Sequence, residues 1–507
     1  MTNLSKSLYI RGLQCTKSLW LKKYNKDVLT PPDEQMKSIF RTGEKVGEKA
    51  CDLFPAGERI PFEDTTFEEK IALTKKYIEQ GIKNIYEATF VFDGVLVMVD
   101  IFHINDDGSV ELYEVKSSTW GPKKKLKEIE NYIEDAAIQH YVVNGCGFEI
   151  NKTSLVLLNS EYVRGPELEL EQLFSKIDVT EHVLALQDKI PSHLDTFAQV
   201  LADKINEPDI DIGWHCKHPY DCDAMEYCWK TQRNIPEYSV FDIFPLTKKS
   251  KALELYHQDI INVADIPDDF DVTGKQQESV LAWKDQTIII NKEQIDAFLS
   301  TLTYPIYHLD FETYQEAIPE FEGTKVYQQI PFQYSLHIEY EVGDIEHKEF
   351  LAKEGTDPRE AVVKRMVEDI PTDVTVTAYH SSFEVDRLKE LAEAFPKYEE
   401  HLLAIADNVV DLEVPFKNKS YYVPEMKGKS SIKVVLPALV PEMARAYKEL
   451  ELVQNGGDAM NTFPKLAEMA EDEKNAYRTA LLKYCELDTL AMVQVLKKLK
   501  ETMIETL

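Results

Sequence analysis

The chain is short of positive charge, poor in cysteine and without any long apolar run. Its 57 lysines and arginines face 89 aspartates and glutamates, a formal net charge of −32 over 507 residues. That balance excludes a histone-like protein that coats nucleic acid by bulk attraction, and a general binder of anionic membranes. It leaves room for a nucleic-acid enzyme, which needs only a local basic track and whose metal-binding carboxylates add to the negative count. No stretch reaches the roughly 18 consecutive apolar residues of a spanning helix. The opening MTNLSKSLYIRGLQC lacks the apolar core and cleavage site of a secretory signal. Seven cysteines make no disulfide scaffold at this length; they point to a reducing cytoplasm, where clustered thiols hold a metal or a cluster. Tandem repeats and low-complexity tracts are absent too. What remains, 44% apolar and 29% charged residues, suffices for large cores, and the length calls for two or three folded units.

Two α/β patterns follow, separated by a mixed stretch. Residues 1–230 contain helix-compatible segments around Trp20, from Phe40 to Leu53 and from Phe67 to Gly81. ATFVFDGVLVMVDIFHI then reads as a hairpin turning at Asp93-Gly94, and SVELYEVKSS alternates at period two. A helix from Leu126 to Asn144 and the strand SLVLLN complete the unit. Residues 231–300 read as a connector without chemistry. From residue 301 onward a strand ending in HLDFET, a partner in QYSLHIEYE, a third strand in DVTVTAYH and a final helix from Glu471 to Lys500 form the second pattern.

Three constellations carry chemistry. In YEVKS, Glu114 and Lys116 are two apart on a strand and so share a face, and an antiparallel neighbour could bring Asp100 beside them. Two carboxylates hold a hard divalent cation, and a lysine orients water or offsets charge on phosphate. An alternating Glu-x-Lys strand is also the common form of a solvated face. Here a run of Lys123, Lys124, Lys125 and Lys127 adds the basic track that a polyanion needs. The second constellation is HCKHPYDCDAMEYCW, with Cys216, Cys222 and Cys228 at C-x5-C-x5-C; together with Cys15 it offers four thiolates for an iron–sulfur cluster or tetrahedral zinc, with His215 and His218 as further zinc ligands.

With these residues in place, residues 1–230 resemble the RecB-type branch of the PD-(D/E)XK nucleases, in particular CRISPR-associated single-strand exonucleases and the AddB nuclease domain. The resemblance implies a restriction-endonuclease-type α/β core, with Asp100, Glu114 and Lys116 catalytic and Gln139 in the following helix contacting nucleic acid. It also implies a [4Fe-4S] cluster on Cys15, Cys216, Cys222 and Cys228, zinc being the alternative. The sequence departs from that family in three places: it has no C-x2-C step, the aromatic after Gln139 is displaced, and the early Gly-x-x-x-His motif reads Gly43-Glu44-Lys45-Val46-Gly47. Glu44 or Glu87 would have to replace the missing histidine.

The third constellation lies in residues 301–507. Asp310 and Glu312 share a strand face, Glu384 follows a strand in AYHSSFEVDRL, and Tyr484 and Asp488 sit at i, i+4 on a helix. Four converging acids hold two divalent ions, the arrangement of in-line phosphoryl displacement. This order resembles the DEDD exonucleases of the RNase H-like fold, in the subclass with tyrosine in the last motif; Glu384 stands where relatives carry Asp, and Asp411 is a supporting residue. KNKSYYVPEMKGKSSIK adds five lysines with Tyr421 and Tyr422, a candidate grip on a strand. The full arrangement is similar to an uncharacterised bacterial family that fuses the two domains. It implies a Mg²⁺- or Mn²⁺-dependent nuclease in repair, end processing or defence. The C-terminal half would trim DNA 3′–5′, and the N-terminal half would cut or bind single-stranded DNA. Its partners would be DNA ends and a helicase or other repair or defence component. An RNA substrate, or a non-catalytic N-terminal scaffold, is the alternative.

Overall fold

In the computed structural model, which describes residues 4–504 apart from 62 and 64, the chain divides into two units. One comprises Met1–Ile235 with Glu316–Gln328; the other comprises Pro236–Gln315 with Gln329–Leu507. Both are mixed α/β.

A seven-stranded sheet organises the first unit. Its strands are β1 (Leu4–Ser5), β2 (Glu58–Arg59), β3 (Asn84–Phe92), β4 (Val95–Ile104), β5 (Val110–Trp120), β6 (Ile150–Asn159) and β7 (Phe174–Asp178). The order is β2-β3-β4-β5-β6-β7, with β1 beside β4. Asp93 and Gly94, at φ 49° and 75°, close the β3–β4 hairpin in the left-handed conformation that a tight hairpin turn demands. The helix Glu130–Gly145 lies between β5 and β6 in the chain, which lets those strands run parallel. On that face Ile133, Ala137, Ile138 and Val142 pack with Val97, Val99, Leu112 and Leu155. On the other, Val46, Phe54, Ile101, Tyr113 and Leu158 pack with Ala317 and Val326 of the inserted Glu316–Gln328 segment.

One irregularity of this sheet matters for chemistry. β4 pairs with β1 at Val95 and Leu96 but with β5 only from Ile101 to Ile104. The β4–β5 ladder therefore ends at Ile101–Tyr113, and Asp100 and Glu114 stand at the first step beyond it, where the strands part.

The helix expected from Phe40 spans Glu34–Cys51 instead. Asp33 caps it by accepting from the Met36 amide at 2.8 Å. Its first turns carry the exposed Met36, Ile39 and Phe40, so the buried stripe, which starts at Val46, marks the helix about three turns late.

The second unit contains β8 (Ile289–Ile290), β9 (Ile306–Tyr314), β10 (Ile330–Glu341), β11 (Asp344–Leu351), β12 (Thr375–Ala378), β13 (Val409–Asp411) and β14 (Tyr421–Tyr422). Five of them form a sheet in the order β11-β10-β9-β12-β13: β9, β10 and β11 are an antiparallel meander, and β12 and β13 run parallel to β9. Leu309, Phe311, Tyr334, Leu336 and Val376 anchor one core against Val362, Met366 and Leu388. The helix Glu471–Ile504, about 51 Å long at 1.5 Å per residue, packs along β9 and β10 and buries Leu481, Cys485, Met492 and Leu496.

The segment read as a connector is folded. Tyr238, Val240, Phe244, Leu255, Val263 and Val280 form a core of their own within the second unit, and β8 pairs with β14. Its short helices and the break at Ile266-Pro267 conceal the periodicity of a longer element. No helix of the described residues is long and apolar enough to cross a membrane.

Candidate functional site

Asp310 and Glu312 project from β9, Glu384 from the helix Ser382–Ala394 that follows β12, and Tyr484 and Asp488 from the long C-terminal helix. All five line one cleft of about 390 Å³, with Lys433, His380 and Phe383. Tyr447 donates to Asp488 Oδ1 at 2.6 Å, and Lys433 Nζ donates to the Tyr484 hydroxyl at 2.9 Å. Burial pushes Asp310 well above the usual carboxylate range, and Asp488, Glu312 and Glu384 add to it. Burial and Asp488 raise Glu312 likewise, with Lys433 opposing. Burial carries Glu384 up to about 8, Asp411 and Asp488 contributing against a backbone hydrogen bond and Arg387. Asp488 is raised by burial against the Tyr447 hydrogen bond and Lys433. One buried oxygen, Glu384 Oε2, has no hydrogen-bond partner. Four carboxylates with so little compensation, one of them orphaned, fit hard divalent cations, for which carboxylate oxygens are the natural ligands. Asp411 is structural: its Oδ1 accepts from the amides of His380 and Glu413 at 3.0 and 2.9 Å.

The first unit gathers its acids differently. Asp100, at the fork of the sheet, accepts from the Val115 amide at 2.7 Å, an N–H that the ladder no longer engages. Glu114 Oε1 accepts from Lys6 and Lys116, each at 2.7 Å, and its Oε2 accepts from Gln139. Lys116 also reaches Asp135. Burial, then the Glu114 charge, lifts Asp100 to about 8. Burial would raise Glu114 too, but Lys116 and Lys6 hold it well below the usual range. Lys6 itself stands at about 12, Glu114 and Asp135 outweighing burial. Glu87, at φ 58°, is raised by burial and adds to the negative field at Asp100. The donor set fits a cation only in part, because both oxygens of Glu114 are occupied and an incoming ion must displace Lys6.

The four cysteines line a small cavity of about 20 Å³ with Lys17, Ser18 and His215. Cys15 separates the first two helices, Lys6–Gln14 and Thr16–Tyr24, and Cys228 lies in the π-helical turn Glu226–Gln232. Arg11 grips Asp223 through two bonds of 2.7 and 2.9 Å, and Gln14 donates to the carbonyls of His215 and Tyr220, so polar contacts tie the first helix to the cysteine loop. Cys216 Sγ accepts from the Gly213 amide at 3.4 Å. Burial, opposed by Lys17, raises the Cys228 thiol to about 11. A zinc tetrahedron with Zn–S of about 2.3 Å brings its sulfurs within about 3.8 Å of one another. Among the described residues, two triads of metal-type side chains place their ligand atoms within 4.8 Å, and neither includes these cysteines. His215 lines the cavity; His218 stacks on Trp214 at 3.7 Å.

Of the basic run, Lys123, Lys125 and Lys127 are exposed, whereas Lys124 donates to the Thr119 carbonyl at 2.7 Å. The proposed aromatic grip is corrected: Tyr421 and Tyr422 are buried in the core beneath the long helix, and Lys419 is buried against Lys275 and Ser279. Their place on β14 gives them core neighbours in sequence-distant elements, so no base can stack on them. Sequence reasoning passed over Lys6, Asp135 and Tyr447, and placed Lys433 in the lysine-rich grip rather than in the acidic cleft. Each lies far in sequence from the side chain it touches; Lys6, nine residues before Cys15, has only its nearness to a recognised helix to signal it.

Residues 307–431 match a family model described as a domain of unknown function, DUF2779. The match contains Asp310, Glu312 and Glu384 but stops short of Tyr484 and Asp488. An uncharacterized protein of Ureaplasma parvum, UU173, is 26% identical over 292 residues, 53% of this chain and 41% of that protein. The chain thus spans well under half the length of this relative. No solved structure matches.

Proposed function

We propose that the chain is a divalent-metal-dependent nuclease whose working centre is the acidic cleft of the second unit, trimming DNA strands from the 3′ end. The observation that carries this reading is the set of four upward-shifted carboxylates, with one buried oxygen left unpartnered. The sheet supports it: an antiparallel meander of three strands followed by two strands parallel to the first is the plan of the RNase H-like fold. Asp310, Glu312, Glu384 and Asp488 would hold Mg²⁺ or Mn²⁺, which supply a hydroxide-generating and charge-stabilising centre when bound. Tyr484, kept protonated by burial, accepts from Lys433, hydrogen-bonds Asp488 and would be the proton donor nearest the reacting phosphate. Lys433 adds a positive charge to the cleft, which would face a bound phosphate.

For the first unit the sheet fork with Asp100, Glu114, Lys116 and Gln139 supports a PD-(D/E)XK-type core, and the four cysteines that line one cavity support a [4Fe-4S] cluster or zinc. Lys6, closing on Glu114, favours the reading in which this unit binds and presents single-stranded DNA rather than cutting it.

The test is digestion of 5′- and 3′-labelled DNA and RNA strands by anaerobically purified protein with Mn²⁺, beside Asp310→Ala and Glu114→Ala. A DNA ladder lost in Asp310→Ala and kept in Glu114→Ala supports the proposal with a scaffold role for the first unit. A ladder that survives Asp310→Ala overturns it, and degradation of RNA alone moves the substrate.

A further inference from the structure

A second cluster lies beneath the same long helix, outside the acidic cleft. His337 on β10 and His347 on β11 are directly opposed in the ladder, their rings stacked at 4.5 Å and 28°. Glu486, from the helix, brings a carboxylate oxygen to 3.9 Å from His347 Nδ1. One ligand atom from each of the three lies within 4.8 Å of the others.

The surrounding hydroxyls settle which nitrogens are free. Thr489 Oγ1 donates its one proton to the Glu486 carbonyl at 3.1 Å, so toward Ser335 and His337 Nδ1, each 2.7 Å away, it can only accept. Ser335 therefore spends its proton on Thr489 and accepts from His347 Nε2 at 2.9 Å. Both imidazoles are thus held as the tautomers that leave His337 Nε2 and His347 Nδ1 as lone pairs. His347 Nδ1 faces the Glu486 carboxylate, a nitrogen of His337 lies in the same cluster, and each ring is oriented by a hydrogen bond to a hydroxyl. That is the outer-shell support characteristic of histidine metal ligands.

We propose that His337, His347 and Glu486 form a site for a borderline divalent transition ion of the zinc class, distinct from the all-oxygen centre of the cleft. Two imidazoles and one carboxylate select Zn²⁺, Co²⁺ or Ni²⁺ over Mg²⁺ and leave a fourth position for water. Glu486 is half-exposed and can close the remaining distance by side-chain rotation. A bound ion would clamp the helix to the β10–β11 hairpin two residues from Asp488, giving the site a structural hold on the cleft. The assignment does not depend on the nuclease reading.

The full chain, anaerobically purified, freed of loosely held metal with a chelator and kept in excess Mg²⁺ to occupy the carboxylate cleft, is titrated with Zn²⁺ and with Co²⁺. It is compared with Glu486→Gln and His347→Asn. The expected result is one equivalent of Zn²⁺ bound at least about 100-fold more weakly in each variant. The matching Co²⁺ equivalent should show d–d absorption without a thiolate charge-transfer band. Wild-type stoichiometry and affinity in Glu486→Gln, whose exposed position spares the fold, would overturn the proposal. So would a thiolate band on the equivalent that disappears, since it would assign that ion to the cysteines.

Discussion

In the second unit four carboxylates share a cleft with one lysine, whereas in the first two lysines and an amide close upon a single glutamate. Both centres carry a half-buried Asp on a strand and a buried acid near it. They differ in where the compensating charge comes from. The first unit supplies it from Lys6 and Lys116, so Glu114 is held charged while Asp100 and Glu87 are raised. The second supplies almost none, and all four acids are pushed up. An uncompensated centre needs an external cation; a compensated one is already stable and must be opened to accept one. On the proposed reading, this is the contrast between a site for metal-dependent turnover and one for binding.

The largest expected effect breaks the comparison at its functional end. Asp488→Ala removes a ligand and lowers 3′ trimming by at least roughly 10³-fold, on the scale of losing a principal charge-stabilising element; single-turnover digestion measures it. Equal losses from Glu114→Ala would mean that the first unit works in the same reaction.

Next in size is stability. Glu114→Ala leaves Lys6 and Lys116 facing each other without their shared acid, and breaking such a buried pair costs about 3–5 kcal/mol. Denaturant unfolding of the variant should show this loss. Asp310→Asn, in contrast, relieves repulsion and should raise the metal-free melting temperature of the second unit by at least about 2 °C, the shift that roughly 1 kcal/mol produces in a unit of this size.

The two units should also part company in their response to pH. Glu384 and its neighbours have folded pKa values above their unfolded ones. Their stabilising contribution is complete below the usual carboxylate range and is lost as pH rises through about 8. Glu114 is depressed, so its contribution is present at neutral pH and is lost only in strong acid. Calorimetry of the metal-free chain between about pH 5 and about pH 9 should show the second unit's transition, with four raised acids, falling further than the first unit's, where Asp100 and Glu87 are raised, and Mg²⁺ restoring the second unit's most at the alkaline end. Coincident shifts of both transitions would dissolve the distinction.

The smallest effect sharpens the cleft. Lys433→Met removes the donor to Tyr484 and should lower the rate by about 10–100-fold, the lower end of what a positioned proton donor contributes. Metal affinity, read by Mn²⁺ titration, should change little.

Much of this was legible in residue order. The Asp-Gly hairpin, the alternation of β5, the Asp310-x-Glu312 pair and the i, i+4 spacing of Tyr484 and Asp488 are local, because strand and helix periods decide them within a few residues. Four cysteines and six acids could therefore be named from their spacing. The charge balance could not. Lys6 meets Glu114 across 108 positions, and Tyr447 meets Asp488 across 41. Whether an acid is opposed or orphaned depends on which distant side chain packing delivers to it. The same holds for Tyr421 and Tyr422, whose polar, lysine-rich surroundings suggested a surface that the tertiary structure turned inward. By itself the sequence determined which elements form and which acids, thiols and bases they carry, since those follow from short-range geometry. Only the tertiary structure decided which acids are neutralised, which tyrosines are core and which histidines face each other, because burial and long-range pairing set charge states and no local pattern encodes them.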